Sequence, residues 1–279
     1  MKTWLITGCS TGFGRELARA VLSHGDRAVV TARDVEQIKD IVEAAGDRAL
    51  ALPLDVTRPE HVRAAVQTAQ DRFGGIDVLV NNAGIGYFAA VEESTDEEIR
   101  RMFEINVFGL SDVTRAVLPG MRQRRTGTIV NFSSIGGLRS FPAVGYYNAT
   151  KFAVEGLSEA LAKEVAPLGL KVLLVEPGPF RTDWAGRSAK ETLPEHGLAD
   201  YTATAGAQRA DFRAGTGNEP GDPARAATAI ITAVEADQPP LRLLLGGPAY
   251  EMAIDKLDQL RTEFTTWETL TRSADFPTA

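Results

Sequence analysis

Thr3-Trp4-Leu5-Ile6-Thr7-Gly8-Cys9-Ser10-Thr11-Gly12-Phe13-Gly14 decides the architecture of this chain. A short apolar run, 3–7, passes directly into a turn with three glycines, and an amphipathic helical pattern follows over 14–24. Gly8, Gly12 and Gly14 permit positive φ and close approach of backbone, while the start of the helix adds partial positive charge. Such a strand–turn–helix unit cradles a pyrophosphate with its N–H groups. Ser10, Thr11 and Phe13 lie within the turn and are expected contacts. The spacing is G-x3-G-x-G, not the commoner G-x-G-x-x-G.

Outward from this unit, Val/Ile/Leu-rich runs alternate with helical patterns. Strands are expected at 3–7, 27–31, 49–54, 78–81, 127–133, 171–176 and 242–245. They lack polar alternation, as parallel strands buried on both faces should. Helices are expected at 14–24, 35–45, 59–73, 95–122, 147–166, 223–236 and from about 250 onward. The alternation predicts an α/β fold: a single doubly wound domain of the Rossmann type, its seven-stranded parallel sheet covered by helices on both faces. The domain is expected to span 1–250, with a helical extension over 251–279. The segment 182–221 is polar, Gly/Ala-rich and weakly periodic, and is expected to be a lid over a substrate site.

The second strand ends Val29-Val30-Thr31-Ala32-Arg33-Asp34, and Arg33 stands 19 residues beyond Gly14. An acid at this point holds a ribose 2′-OH, whereas an arginine receives a 2′-phosphate. Arg33 facing the ligand predicts NADP(H), the preferred expectation; Asp34 facing it predicts NAD(H). Asp55, followed by Val56 at the end of the third strand, is placed to bond an adenine amino group. Its other use is to cap the next helix, although Thr57 is the better cap. Asn82, Ala83 and Gly84 close the fourth strand at a carboxyl end, where ligands collect in open α/β sheets.

Tyr147 and Lys151 are four residues apart at the start of a helical pattern and share one face of it. An ammonium beside a buried phenol stabilises the phenolate, so the tyrosine pKa is expected to fall from about 10. Such a group suits general acid/base transfer. Tyr146 has the uncharged Thr150 as its i+4 partner and is expected to line the pocket instead. Ser133 and Ser134 end the fifth strand on the side of the glycine turn, where a hydroxyl would hold a substrate oxygen.

These motifs together resemble the short-chain dehydrogenase/reductase family, in its single-domain form, over about residues 1–250. Thr7-Gly8-xxx-Gly12-x-Gly14, Asn81-Asn82-Ala83-Gly84, Tyr147-xxx-Lys151 and Pro177-Gly178 stand in family order. The resemblance implies hydride transfer between a nicotinamide and a carbonyl or alcohol, with a catalytic set of Asn106, Ser134, Tyr147 and Lys151. Ser134, 13 residues before the tyrosine, takes the serine's role in place of Ser133. The main-chain carbonyl of Asn106 would hold a water that links the lysine to a proton relay. Lys151 would also bond the nicotinamide ribose, and Tyr147, Pro177, Gly178, Phe180 and Thr182 would join the cofactor contacts. Thr11 departs from the pattern, because many NADP(H)-dependent members carry a basic residue there.

The substrate end draws on Ser134, Tyr147 and the loops that contain Tyr87, Phe88, Leu138, Phe141, Phe180, Trp184, Tyr201 and Phe212. Phe141 and Trp184 are the leading contacts, while Phe88 and Phe212 serve equally well as core. An apolar, aromatic lining predicts a hydrophobic ketone or secondary alcohol, and it is similar to the steroid- and retinoid-type reductase branch. The rival expectation is a non-catalytic nucleotide sensor with the same fold.

Bulk properties narrow the partners. The 279 residues are 44% hydrophobic with net charge −7, and no long basic block is present, which argues against nucleic acid. Cys9 is the single cysteine, so no internal disulfide or multi-cysteine zinc site exists. His24, His61 and His196 lack metal-ligand spacing, and no metal is expected. No apolar run approaches the ~18 residues of a membrane helix. A cytoplasmic protein without a membrane partner is expected, paired as a homodimer or homotetramer through the helices at 95–122 and 147–166.

Overall fold

The computed structural model describes residues 1–184, 186, 189–191 and 198–276. Its strands are β1 (Thr3–Ile6), β2 (Arg27–Ala32), β3 (Ala49–Pro53), β4 (Val78–Asn81), β5 (Gly86–Phe88), β6 (Gly127–Phe132), β7 (Leu170–Pro177), β8 (Ala189–Glu191) and β9 (Arg242–Leu245). The α-helices are α1 (Gly12–Ser23), α2 (Lys39–Glu43), α3 (Pro59–Phe73), α4 (Asp96–Phe103), α5 (Leu110–Arg124), α6 (Gly145–Val165), α7 (Ala207–Gly215), α8 (Pro223–Glu235), α9 (Gly247–Thr266) and α10 (Glu268–Arg272).

Seven strands form one parallel sheet in the order β3-β2-β1-β4-β6-β7-β9. The strand side chains point alternately to two separate apolar layers. Trp4, Ile6, Val30, Val80 and Val175 pack under α1 and α8, whereas Leu5, Val29, Leu79, Ile129 and Val172 pack under α3 and α5. Burial on both faces explains why these runs lack polar alternation. Buried amides link the strands to the helices: Asn81 Nδ2 donates to Thr114 Oγ1 and Asn131 Oδ1, each at 2.9 Å, and Asn131 Nδ2 donates to Ser158 Oγ at 2.8 Å. Strand order reverses between β1 and β4, so the loops on either side diverge and leave a crevice at their carboxyl ends.

Three expected helical or irregular segments differ in detail. The helix expected at 35–45 is split into a 3₁₀ turn (Val35–Ile38) and α2, because the Asp34 side chain accepts from Glu36 N at 3.1 Å and tightens the first turn. The helix expected at 95–122 is interrupted by a π-helical segment, Glu104–Gly109, between α4 and α5. Within 182–221, the described residues include β8, which pairs with β5 in a small parallel sheet, and α7. Residues 185, 187–188 and 192–197 of the expected lid, with His196, lie outside the described residues, as do residues 277–279 of the expected extension.

The extension begins as α9, which buries Ala249 and Ala253 and leaves Leu257 and Phe264 exposed, as are Trp267 and, on α10, Leu270. No helix among the described residues is long and apolar enough to cross a membrane. His24 lies between Asp26 and Glu235, its nitrogens 3.8 and 3.5 Å from their carboxylates. Asp26 is already committed, accepting from Lys2 N at 2.8 Å and from Trp4 Nε1 at 3.0 Å.

Candidate active site

A cleft of about 1190 Å³ opens at the carboxyl ends of the strands. That exceeds the roughly 300–1,000 Å³ of a pocket for one small molecule, leaving room for a dinucleotide and a substrate placed end to end.

At one end is the β1–α1 turn. Gly8 (φ 71°) and Gly12 (φ 58°) use the left-handed backbone region that favours glycine. A Cβ on Gly8 would lie 2.9 Å from Ala83 Cα, so that glycine is required by packing, whereas Gly12 faces open cleft with Thr182 beyond it. Gly14 does not line the cleft, contrary to its expected role as a contact. A Cβ there would sit 2.5 Å from Gly8 O and against the Asn82 amide, so Gly14 lets the helix close onto the turn. Asn82 lines the cleft, but its Nδ2 is spent on Thr7 O and Gly8 O at 2.9 Å each, which fixes the turn from outside. Thr7 Oγ1 completes the clamp by accepting from Asn82 N and Ala83 N at 3.0 Å. Ser10, Thr11, Phe13, Ala83 and Gly84 all border the cleft. The donor-rich turn and its glycine space fit a dinucleotide's phosphates.

Arg33 stands at the rim of the cleft, whereas Asp34 is turned away into its capping role. Asp55 and Val56 line the same end. Asp55 accepts from Thr57 N at 3.0 Å and Thr57 Oγ1 at 2.7 Å, so it braces its own turn. Thr57 is therefore not the helix cap; α3 starts at Pro59. Partial burial works to raise the Asp55 pKa, but the Thr57 donors and the field of Arg33 prevail and hold the carboxyl below its usual range.

At the other end, the first turns of α6 carry Tyr147 and Lys151, both buried and both lining the cleft. Lys151 Nζ donates to Phe132 O at 2.8 Å and lies 5.6 Å from the centre of the Tyr147 ring. Ser134, in extended backbone after β6, accepts from Gly136 N at 3.0 Å, and its hydroxyl also faces the Tyr147 phenol. The expected fall in the Tyr147 pKa does not occur in this arrangement. Burial pushes the phenol up to about 12, with only the Ser134 contact acting against it. The Lys151 ammonium, held on the Phe132 carbonyl, does not offset that cost of burial. Burial also brings Lys151 down to about 8, against the opposing field of Glu155.

Asn106 lies within the π segment, 2% exposed and outside the cleft lining. Its Oδ1 accepts from Ile85 N at 2.9 Å, and its Nδ2 donates to Ile85 O at 3.0 Å and Thr150 Oγ1 at 3.2 Å. It thus ties the loop after β4 to α6. Single π turns of this kind occur frequently at functional sites.

Pro177, Gly178, Phe180 and Thr182 line the wall beyond β7. Phe13 packs between Phe132 and Phe180, ring centres 5.4 and 5.1 Å away. Phe141, Trp184 and Phe212 form an apolar end of the cleft, with the Trp184 ring 5.0 Å from that of Tyr147. Four expected aromatic or apolar contacts stand outside the cleft: Tyr87, Phe88, Leu138 and Tyr201. Phe88 is fully buried behind Trp184 and Phe212, and the Tyr201 hydroxyl donates to Glu92. Tyr146 also misses the cleft and packs against the Tyr87–Phe88 cluster. Sequence reasoning missed Gln37, Val144, Asn148 and Met252, all of which line the cleft. Asn148 immediately follows Tyr147, but nothing in the spacing of Met252 marks α9 as part of the wall.

The fold and the cleft define a dinucleotide-dependent enzyme architecture, and the chain belongs to the short chain dehydrogenase family, whose profile matches residues 2–192. It is similar along nearly its whole length to a crystal structure of a short-chain dehydrogenase from Streptomyces avermitilis: 45% identity, 99% of this chain and 100% of that one, TM-score 0.92. Oxidoreductase BOA17 of Botryotinia fuckeliana is 39% identical, covering 96% of this chain and 97% of the relative. Human retinol dehydrogenase 8 is 35% identical over 86% of this chain and 80% of its own length. A short chain dehydrogenase/reductase from Burkholderia phymatum in complex with NAD aligns at 26% identity over 100% of this chain and 98% of that one, TM-score 0.79.

Proposed function

We propose that the protein is an NADP(H)-preferring oxidoreductase that interconverts a hydrophobic ketone and its secondary alcohol. The observation that carries this is the continuity of one cleft, with a glycine cradle at one end and Tyr147, Ser134 and Lys151 converging under an aromatic wall at the other. When bound, the nicotinamide supplies or accepts the hydride. Tyr147 holds the proton at its phenol oxygen, gives it to the substrate oxygen in reduction and takes it back in oxidation. A phenol pushed up to about 12 stays protonated at neutral pH, in the form reduction requires. Ser134 holds the same substrate oxygen, and Lys151 anchors the cofactor ribose and supplies positive charge beside the phenol.

NADP(H) preference rests on Arg33 at the rim and on Asp34 being occupied by Glu36 N. The apolar substrate class rests on Phe141, Trp184 and Phe212. Pairing with a second copy is supported by Phe108, Phe152 and Leu157, which α6 and the π segment before α5 leave exposed. Turnover of a panel of bulky ketones with NADPH and with NADH tests the proposal. Reduction that is lost in Tyr147→Phe, with cofactor binding retained, supports it. Tight cofactor binding without turnover of any ketone would instead favour a sensor.

A further inference from the structure

One turn beyond Lys151 on α6, Glu155 points into the protein toward Glu176 on β7. They are 5% and 0% exposed, and none of their four carboxyl oxygens accepts a well-aligned hydrogen bond. Arg242 Nε, from β9, approaches Glu155 Oε2 at 3.2 Å and Glu176 Oε1 at 3.5 Å, while its Nη2 is drawn to Glu159 at 3.0 Å. Ser133 Oγ, at the end of β6, faces Glu155 without an aligned partner of its own. The 3₁₀ turn after Ser134 closes over the group so tightly that a Cβ on Gly137 would lie 2.5 Å from Ser133 Oγ and 3.2 Å from Glu155 Oε1. The charged groups facing this cluster are Lys151 on its own helix, Arg242 from β9 and, beyond Arg242, the half-exposed Glu159.

Two buried carboxylates that face each other, with one guanidinium divided among three acids, repel too strongly for both to be ionised at neutral pH. A shared proton removes the repulsion and supplies the missing O–H donor. We propose that Glu155 and Glu176 act as one acid carrying a single proton, and that the negative charge left on the pair keeps Lys151 cationic in its buried site. The pair is then a positioning element for proton exchange at Tyr147, a role that rests on the function proposed above. Burial and the neighbouring Glu155 push Glu176 up to about 8, in the direction that sharing requires. The charge belongs to the pair and not to one member, because Arg242 Nε approaches an oxygen of each.

Infrared spectroscopy of the wild-type protein in D2O tests the sharing without any turnover. A protonated-carboxyl C=O band at pH 7 that disappears as pH rises through about 8 is expected. Absence of the band overturns the proposal, even if the protein proves to be an active reductase. The second arm is the pH profile of kcat/KM for ketone reduction. Glu155→Gln and Glu176→Gln each keep one acid beside Arg242, so either single variant should shift the alkaline limb less than the double variant does. In the double variant it should move about one unit to lower pH. A limb unmoved in the double variant means the pair only braces α6, β7 and β9 and overturns its link to Lys151. Lack of turnover in the wild type would sink the proposed function while leaving the infrared result to stand.

Discussion

Lys151 Nζ donates to the main-chain carbonyl of Phe132 at 2.8 Å, joining the second turn of α6 to the last residue of β6. The bond holds the ammonium over the Tyr147 ring, 5.6 Å from its centre. The proton inventory of the site follows: a neutral phenol held at high pKa beside a lysine whose own charge is costly to keep.

That cost has a pH signature. Burial lowers Lys151 from 10.5 to about 8, so the folded state binds its proton less tightly than the unfolded chain does. The contribution to stability is present above about 10.5 and is lost as pH falls through 8. Lys151→Met should therefore gain on the wild type below pH 8, by up to about 3 kcal/mol, and lose that advantage by pH 10.5. Urea unfolding of both proteins at several pH values checks this; a gap independent of pH would mean that the lysine is not desolvated.

Arg33→Ala should weaken NADPH binding about 10- to 100-fold, the worth of one charged hydrogen bond, and leave NADH nearly unchanged. Fluorescence titration with each cofactor measures it. Equal losses would assign Arg33 to bracing Asp55, whose carboxyl its field already lowers.

Gly14→Ala places a methyl 2.5 Å from Gly8 O and against Asn82. The helix must retreat from the turn, at about 1–3 kcal/mol by analogy with overpacked cores. Thermal unfolding should register the loss, and both cofactors should bind more weakly, because the displaced turn is common to them.

Trp184 leans on the Tyr147 ring at 5.0 Å and is backed by Phe88 and Phe212. Its truncation in Trp184→Ala should raise KM for a bulky apolar ketone about 10- to 100-fold and affect a small ketone much less. Steady-state kinetics with a size series decides. A uniform fall in kcat across the series would instead place Trp184 in support of Tyr147.

Much of the fold was readable because its signals are local. Each expected strand falls within about two residues of an observed one, from Thr3–Ile6 to Arg242–Leu245, since parallel strands sheathed on both faces must be apolar throughout and end at turn residues. The strand–glycine–helix order likewise placed Gly8, Gly12, Arg33 and Asp55 at one edge, and the i,i+4 spacing put Tyr147 and Lys151 on one helical face. The three-residue strands β5 and β8 are too short to carry a period, and they pair only because the segment after β7 folds back onto the loop after β4.

By itself, the chain's sequence determined its fold class, its family and the residue types gathered at the sheet's carboxyl edge. Tertiary structure alone decided what those residues face. Asp34 turns to a helix start, Gly14 serves close packing, Phe88 lies behind the wall, and Met252 reaches the cleft from α9. It also decided ionisation. The Tyr147 phenol rises where adjacency to a lysine predicted a fall, and Glu155 and Glu176, 21 positions apart, meet beneath one arginine. Periodicity depends on neighbours within a few residues, whereas a pKa depends on how much water remains and on where distant charges point, which only the packed chain defines.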